Sequence, residues 1–385
     1  MHHQGPISGI TIVDLSKVLA GPFATMICAD LGARVIKVEP PGNGDDSRHF
    51  PPFIKGVSAY FASINRGKES IALNLKQEKD RAIFEKLLER ADVIVENYRP
   101  GVMERLGYGW EELHKKYPRL IYAASSGFGH SGPYSQRAAY DMVVQGMGGI
   151  MSITGHPHSP PTRVGTSIGD IIAALYTVIG IEGALYRRTI SGEGMKVDVA
   201  MLDGQVSILE NAMARYFATG EVPTPLGARH PSIAPFEVYK TLDSHLVVAA
   251  GNDSLFEKLA AAMERPDLVA NSLFATNPER VANLEHLNNE LEPILITKTT
   301  AQWREILDKA GVPCGPINNV KNIIEDPQVL SRTMIIETDD PVAGPITMAG
   351  NPVKLSAYKD PKKRPPAPQL DENRERILDE LGVKA

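Results

Sequence analysis

Cysteine is almost missing from this 385-residue chain: Cys28 and Cys314 are the only two, and neither belongs to a Cys-x-x-Cys pair. A disulfide framework and a cysteine zinc site therefore have no support, and the two thiols are expected to be buried in a reducing compartment. No excess of positive charge is present either. The net charge is −5, and Lys and Arg are scattered rather than bunched, so neither nucleic acid nor a membrane surface is expected as a partner. The start, Met1-His2-His3-Gln4-Gly5-Pro6, lacks the basic and apolar segments of a signal peptide, and no apolar run reads as a bilayer span. A cytoplasmic protein is the expectation. Internal repeats and low-complexity tracts are absent. So are the nucleotide fingerprints: Leu15-Ser16-Lys17-Val18-Leu19-Ala20-Gly21-Pro22-Phe23 follows the first expected strand without a G-x-G-x-x-G, and no Walker A motif occurs. Gly146-Met147-Gly148-Gly149 fits neither pattern. Gly192-Glu193-Gly194, after Arg187-Arg188, reads as a helix stop. Nicotinamide and nucleoside-triphosphate enzymes lose weight accordingly.

The composition is that of a globular protein, with 43% hydrophobic and 23% charged residues, and the length allows two domains. Short β-branched runs at 10–13, 34–39, 70–75, 92–96 and 120–124 alternate with helical periodicity at 24–31, 77–90 and 109–116. Such alternation implies an α/β, Rossmann-like parallel sheet whose ligands bind beyond the carboxyl ends of the strands. A helix over 202–219 leads to the Gly- and Pro-rich passage Gly220-Glu221-Val222-Pro223-Thr224-Pro225-Leu226-Gly227, a linker by composition. A hairpin at 236–241 and 245–249, with helices near 254–263, 282–291 and 300–310, predicts a smaller α+β domain. The tail reads as an extended return segment and a closing helix over 370–381.

One carboxylate stands out. Gly165-Thr166-Ser167-Ile168-Gly169-Asp170 places Asp170 in the first turn of a helix that is apolar nearly all round through residue 185, as if surrounded by protein. It is either a cap accepting first-turn N–H groups or a nucleophile. With a free pKa of about 3.9, such a nucleophile is expected to be ionised at neutral pH and to need no general base.

These segments, in this order and over almost the whole chain, resemble the family III CoA-transferases, the CaiB-BaiF family. The resemblance rests on Val13-Asp14-Leu15 through Ala20-Gly21-Pro22, Asp30-Leu31-Gly32-Ala33 with Val35-Ile36-Lys37-Val38-Glu39, and Asn65-Arg66-Gly67-Lys68. It continues in Val95-Glu96-Asn97-Tyr98-Arg99-Pro100-Gly101, Ala139-Tyr140-Asp141, Gly169-Asp170 and Gly311-Val312-Pro313-Cys314-Gly315-Pro316. It implies that Asp170 is the catalytic aspartate, passing CoA through anhydride and aspartyl-CoA thioester intermediates without metal or resident cofactor. Coenzyme A and acyl-CoA would be substrates only. For CoA binding it implies Val18, Leu19 and Ala20 along the pantetheine, and Leu73, Asn74 and Lys76 near the nucleotide. Asn97, Tyr98, Arg99 and Arg105 fall near the phosphates, and Tyr140 and Asp141 beside the active site. Pro40 and Ala138 replace an arginine and a lysine of formyl-CoA transferases. The implied architecture is a large CoA-binding domain over 1–200, a linker helix and linker over 201–227, and a small domain over 228–326. A return segment over 327–385 completes the large domain, and an interlocked homodimer is implied.

The family also holds α-methylacyl-CoA racemases, in which a histidine precedes the aspartate matching Asp141. Here that residue is Tyr140, a poor base at neutral pH, so transfer is favoured over racemisation and over non-catalytic acyl-CoA binding. A glutamine that formyl-CoA transferases align with Leu19 is absent, as is their glycine run. Arg229-His230-Pro231-Ser232-Ile233-Ala234-Pro235-Phe236 resembles the subgroup acting on larger dicarboxylates. Succinyl-CoA as donor, a C4 to C6 dicarboxylate as acceptor, and Arg229 or His230 as ligand of the non-reacting carboxylate are the expectations.

Overall fold

Six strands, β1 (Thr11–Asp14), β2 (Arg34–Glu39), β3 (Glu69–Ala72), β4 (Val93–Glu96), β5 (Ile121–Ser126) and β6 (Lys196–Ala200), form one sheet in the computed structural model, which describes residues 4–383. Their order is β3-β2-β1-β4-β5-β6 and every pairing is parallel. Runs such as Val93-Ile94-Val95, fully buried, suit a sheet covered on both faces. The expected strands are found with ends moved by up to three residues. β6 was not foreseen, because Lys196 and Asp198 interrupt its apolar pattern and leave only alternate positions inward.

Helices α1 (Ala20–Asp30), α2 (Ala59–Asn65), α3 (Glu78–Arg90), α4 (Trp110–Lys116), α5 (Asp141–Met147) and α6 (Ile168–Ser191) accompany the sheet. The all-round burial expected of α6 is not found in this chain. Ala174, Val178, Ile181, Ala184 and Leu185 pack with Ile12, Val35, Val93 and Ile121 of the sheet. On the other side Ile179, Tyr186 and Ile190 are 61%, 71% and 62% exposed. Contrary to the sequence reading, α6 is by length and composition able to cross a membrane; its packed side is that of a core helix. The single helix expected over 202–219 is two, α7 (Met201–Ser207) and α8 (Asn211–Thr219). Between them Glu210 takes a φ of +44° and its own carboxylate accepts the Asn211 N–H at 2.5 Å, a local bond that competes with the helix.

The chain divides into two compact units, the first holding residues up to 151, 163–218 and 326 onward, the second 152–162 and 219–325. The helical stretch 201–218 thus stays with the sheet, and 152–162 is lent to the second unit. That unit pairs β7 (Phe236–Lys240) with β8 (His245–Ala249) in the expected antiparallel hairpin and adds β9 (Cys314–Pro316). Helices α9 (Asp253–Ala262), α10 (Leu284–Leu295) and α11 (Thr300–Ala310) bury Phe256, Leu287, Leu291, Trp303 and Leu307 with the hairpin. The return segment is more structured than expected. It holds an antiparallel pair, β10 (Ile335–Asp340) and β11 (Gly344–Ala349), before α12 (Arg374–Glu380). Asn373 and Asp371 accept the Ser70 and Ala72 N–H groups at 2.8 and 2.7 Å, and Arg374 donates to the Ala72 carbonyl at 2.8 Å. Residues 371–374 thereby cap the outer edge of β3.

Candidate active site

The turn after β1 is held by buried charges. Asp14 accepts Lys68 at 3.0 Å, Thr25 Oγ1 at 2.7 Å and the Ser16 N–H at 2.9 Å. Burial opposes its ionisation, but Lys68, Lys37 and the two hydroxyls prevail and keep its carboxyl well below the usual range. Lys37 donates to the Ser16 carbonyl at 2.7 Å and pairs with Asp45 at 2.8 Å. Burial disfavours its charge too, and Asp14, Asp45 and Glu39 outweigh it, so its pKa is raised. Asn97 uses its whole amide on the Lys17 backbone, accepting the N–H at 2.8 Å and donating to the carbonyl at 2.7 Å. Val18 donates its N–H to the Asp45 carboxylate at 3.1 and 3.3 Å and has a φ of +66°. Leu19 then caps α1, whose first residue is Ala20.

Asp170 is the third residue of α6, half-buried, and α6 packs beside α1. Of the two readings of Asp170, the capping of first-turn N–H groups is carried instead by Asp141, the first residue of α5. Asp141 Oδ1 accepts the Gly169 N–H at 2.9 Å, and its Oδ2 accepts Gln145 Nε2 at 2.8 Å. Gln145 in turn accepts the Val164 N–H at 2.9 Å, which ties the approach to α6 onto α5. A Cβ on Gly169 would lie 2.7 Å from Val144 Cγ2 and 3.1 Å from Asp141 Oδ1; only glycine permits this approach. The backbone N–H of Ala20, at the start of α1, faces the Asp170 carboxyl and favours its charged form.

Burial, then the nearby Asp141 carboxylate, push the Asp170 carboxyl up to about 7, with the Ala20 N–H opposing them. The expectation of a fully ionised carboxylate at neutral pH is therefore corrected: burial and a like charge hold part of the population protonated. Tyr60, in α2, went unnoticed in the sequence. Burial, then the charges of Asp170, Asp45 and Asp141, push its phenol up to about 12. No motif surrounds it that could have pointed there.

Leu73, Asn74, Lys76 and Tyr98 line one cleft of about 450 Å³ beyond the carboxyl ends of β1, β2 and β3, with Lys17 and Pro40. Val18, Leu19, Ala20 and Asn97 belong to the adjoining turn. Arg99 and Arg105 are exposed, do not line the cleft, and form no ion pair among the described residues. Tyr140 is 77% exposed, and its neighbour Asp141 holds the Gly169 N–H. Arg229 and His230 belong to the second unit, where His230 stacks on Phe236 at 5.3 Å and accepts the Ser232 N–H at 3.2 Å. Among the described residues no group of three or more His, Cys, Asp or Glu is disposed to hold a metal ion.

Residues 7–374 match the model of CoA-transferase family III. An acetyl-CoA:oxalate CoA-transferase of Acetobacter aceti is 48% identical over 370 residues, covering 96% of this chain and 94% of its own. Succinyl-CoA:glutarate CoA-transferase of Homo sapiens is 40% identical over 382 residues, covering 99% and 87%. The crystal structure of a CAIB/BAIF family protein from Brucella suis superimposes with a TM-score of 0.86 at 38% identity, covering 98% of this chain and all of the other.

Proposed function

Because this chain belongs to CoA-transferase family III, we propose that Asp170 is the nucleophile that carries CoA from a donor thioester to a free acid. Its carboxylate attacks the donor carbonyl and CoA thiolate leaves, giving a mixed anhydride. The thiolate then attacks the aspartyl carbonyl, which frees the donor acid and leaves an aspartyl-CoA thioester. The acceptor carboxylate attacks that carbonyl and expels the thiolate. Attack of the thiolate on the new anhydride yields the product thioester and restores Asp170. Each step exchanges one activated acyl bond for another. The observation that carries this reading is a half-buried carboxyl at the start of α6 that faces the Ala20 N–H, a donor placed to stabilise an oxyanion.

Nucleophilic attack requires the ionised form, so kcat/KM is expected to rise with pH through an apparent pKa near 7 and level off above it. Asp141→Asn removes the like charge and should move that limb to lower pH. A flat profile from pH 5 to 8, measured by initial rates, would contradict the assignment.

For the substrates we propose succinyl-CoA as donor and a C4 to C6 dicarboxylate as acceptor, with Arg229 and His230 as ligands of a free carboxylate. Acetyl-CoA with oxalate is a second reading, favoured by the 48% identical relative. Mass spectrometry of new acyl-CoA species, with each donor offered against oxalate, succinate, glutarate and mesaconate, separates the two. Arg229→Ala should raise KM for the acid and not for the donor. Transfer to monocarboxylates alone would overturn both readings. We also propose a homodimer, in which a second copy covers the exposed apolar side of α6.

A further inference from the structure

Val18 is β-branched, and its φ of +66° is one that such residues rarely adopt. The conformation therefore needs something to hold it. The backbone on either side is tied down: Lys37 holds the Ser16 carbonyl, Asn97 holds both groups of Lys17, and the Val18 N–H points into Asp45. Asp45 is 1% exposed. Its carboxylate also accepts the Ser47 N–H at 2.9 Å and Ser47 Oγ at 2.7 Å, which fixes its orientation. Lys37, 2.8 Å away and fully buried, supplies the counter-charge. Two residues beyond Val18 the chain presents the Ala20 N–H to Asp170.

We propose that Asp45 is a positioning residue for the chemistry at Asp170: its carboxylate, neutralised by Lys37, holds Val18 in the left-handed conformation and so keeps the start of α1, with the Ala20 N–H, beside the reacting carboxyl. The inference rests on the nucleophilic reading of Asp170. It separates the hydrogen bond to Val18 from the bonds to Ser47, which would serve the turn at 45–49 whatever happened at the active site. Glycine takes a positive φ without steric cost, so Val18→Gly removes the need for the restraint while leaving the rest of the network in place.

The test is a double-mutant cycle read as steady-state transfer. Asp45→Asn is expected to lower kcat about 10- to 100-fold while KM for the acyl-CoA stays within about twofold. In the V18G background the same substitution is expected to lower kcat by no more than about twofold. An equal loss in both backgrounds, a loss confined to KM, or no loss would overturn the proposal. Should Asp45→Asn alone fail to fold by circular dichroism, Lys37→Met with Asp45→Asn removes both buried charges, and the cycle with V18G is repeated on that pair with the same criteria. Asp170→Asn runs alongside. If it still transfers CoA, the nucleophilic reading falls; if it is inactive while Asp45→Asn is unaffected, only the role of Asp45 falls.

Discussion

Asp170→Asn is expected to cut CoA transfer by about ten-thousandfold or more, yet to melt higher than the wild type at pH 8. The loss follows from the chemistry: an amide of the same shape cannot form the anhydride, and the Ala20 N–H and the cleft then act on a site with no nucleophile. The gain in stability follows from the titration. The folded carboxyl is pushed from its ordinary 3.8 up to about 7, so the native state keeps a proton that the unfolded chain has already released. Charging Asp170 in the folded protein therefore costs stability, from nothing below pH 4 to its full value above about pH 7. That cost is on the order of a few kcal/mol. Asparagine carries no charge and avoids it. Thermal denaturation at pH 5 and pH 8 checks the sign, because the advantage of the variant should shrink at the lower pH. A variant that transfers CoA at more than about a hundredth of the wild-type rate, or melts lower at pH 8, would contradict the role given to Asp170.

The second large effect is expected from a methyl group. Helix propensity alone says that Gly169→Ala stabilises, by about 0.5–1 kcal/mol. Packing says the opposite, since the new Cβ would lie 2.7 Å from Val144 Cγ2 and 3.1 Å from the Asp141 oxygen that holds the Gly169 N–H. Either α5 and α6 separate or that hydrogen bond breaks, and Asp170 moves with the turn. We expect packing to win, with a loss of about 1–3 kcal/mol in stability and about 100-fold in kcat. Denaturant unfolding and steady-state transfer give the two numbers. An alanine variant that is both more stable and fully active would show that the approach of α5 to α6 is not what places the carboxyl.

Asp170 could be found in the sequence because an acid at the start of a long apolar helix is a local pattern. Its protonation could not, because the opposing charge, Asp141, and the helping donor, Ala20, lie 29 and 150 residues away in the chain. Asn97 was expected near the phosphates and is found holding the Lys17 backbone; spacing says nothing about which backbone an amide will bind. Asp45, Tyr60 and the left-handed conformation of Val18 carried no signal at all. Periodicity found α6 and misjudged its surroundings: a helix apolar all round in sequence has one side on the sheet and the other uncovered in this chain. The same method ran through Glu210, since a helix broken by one residue's own carboxylate keeps its apolar spacing. The parallel strands were legible because continuous β-branched runs have few other uses, and β6 escaped because two charges interrupt it.

The clasp that residues 371–374 place on β3 bears on the order in which the protein can be completed during synthesis. β3 emerges from the ribosome about three hundred residues before Asp371, Asn373 and Arg374 reach the N–H and carbonyl groups of Ser70 and Ala72. Through that interval the sheet has an open edge, while residues 219–325 of the second unit are already finished. The larger unit, begun first, is closed last. A chain cut before Asp371 leaves that edge open for good, and an open edge pairs with whatever strand it meets.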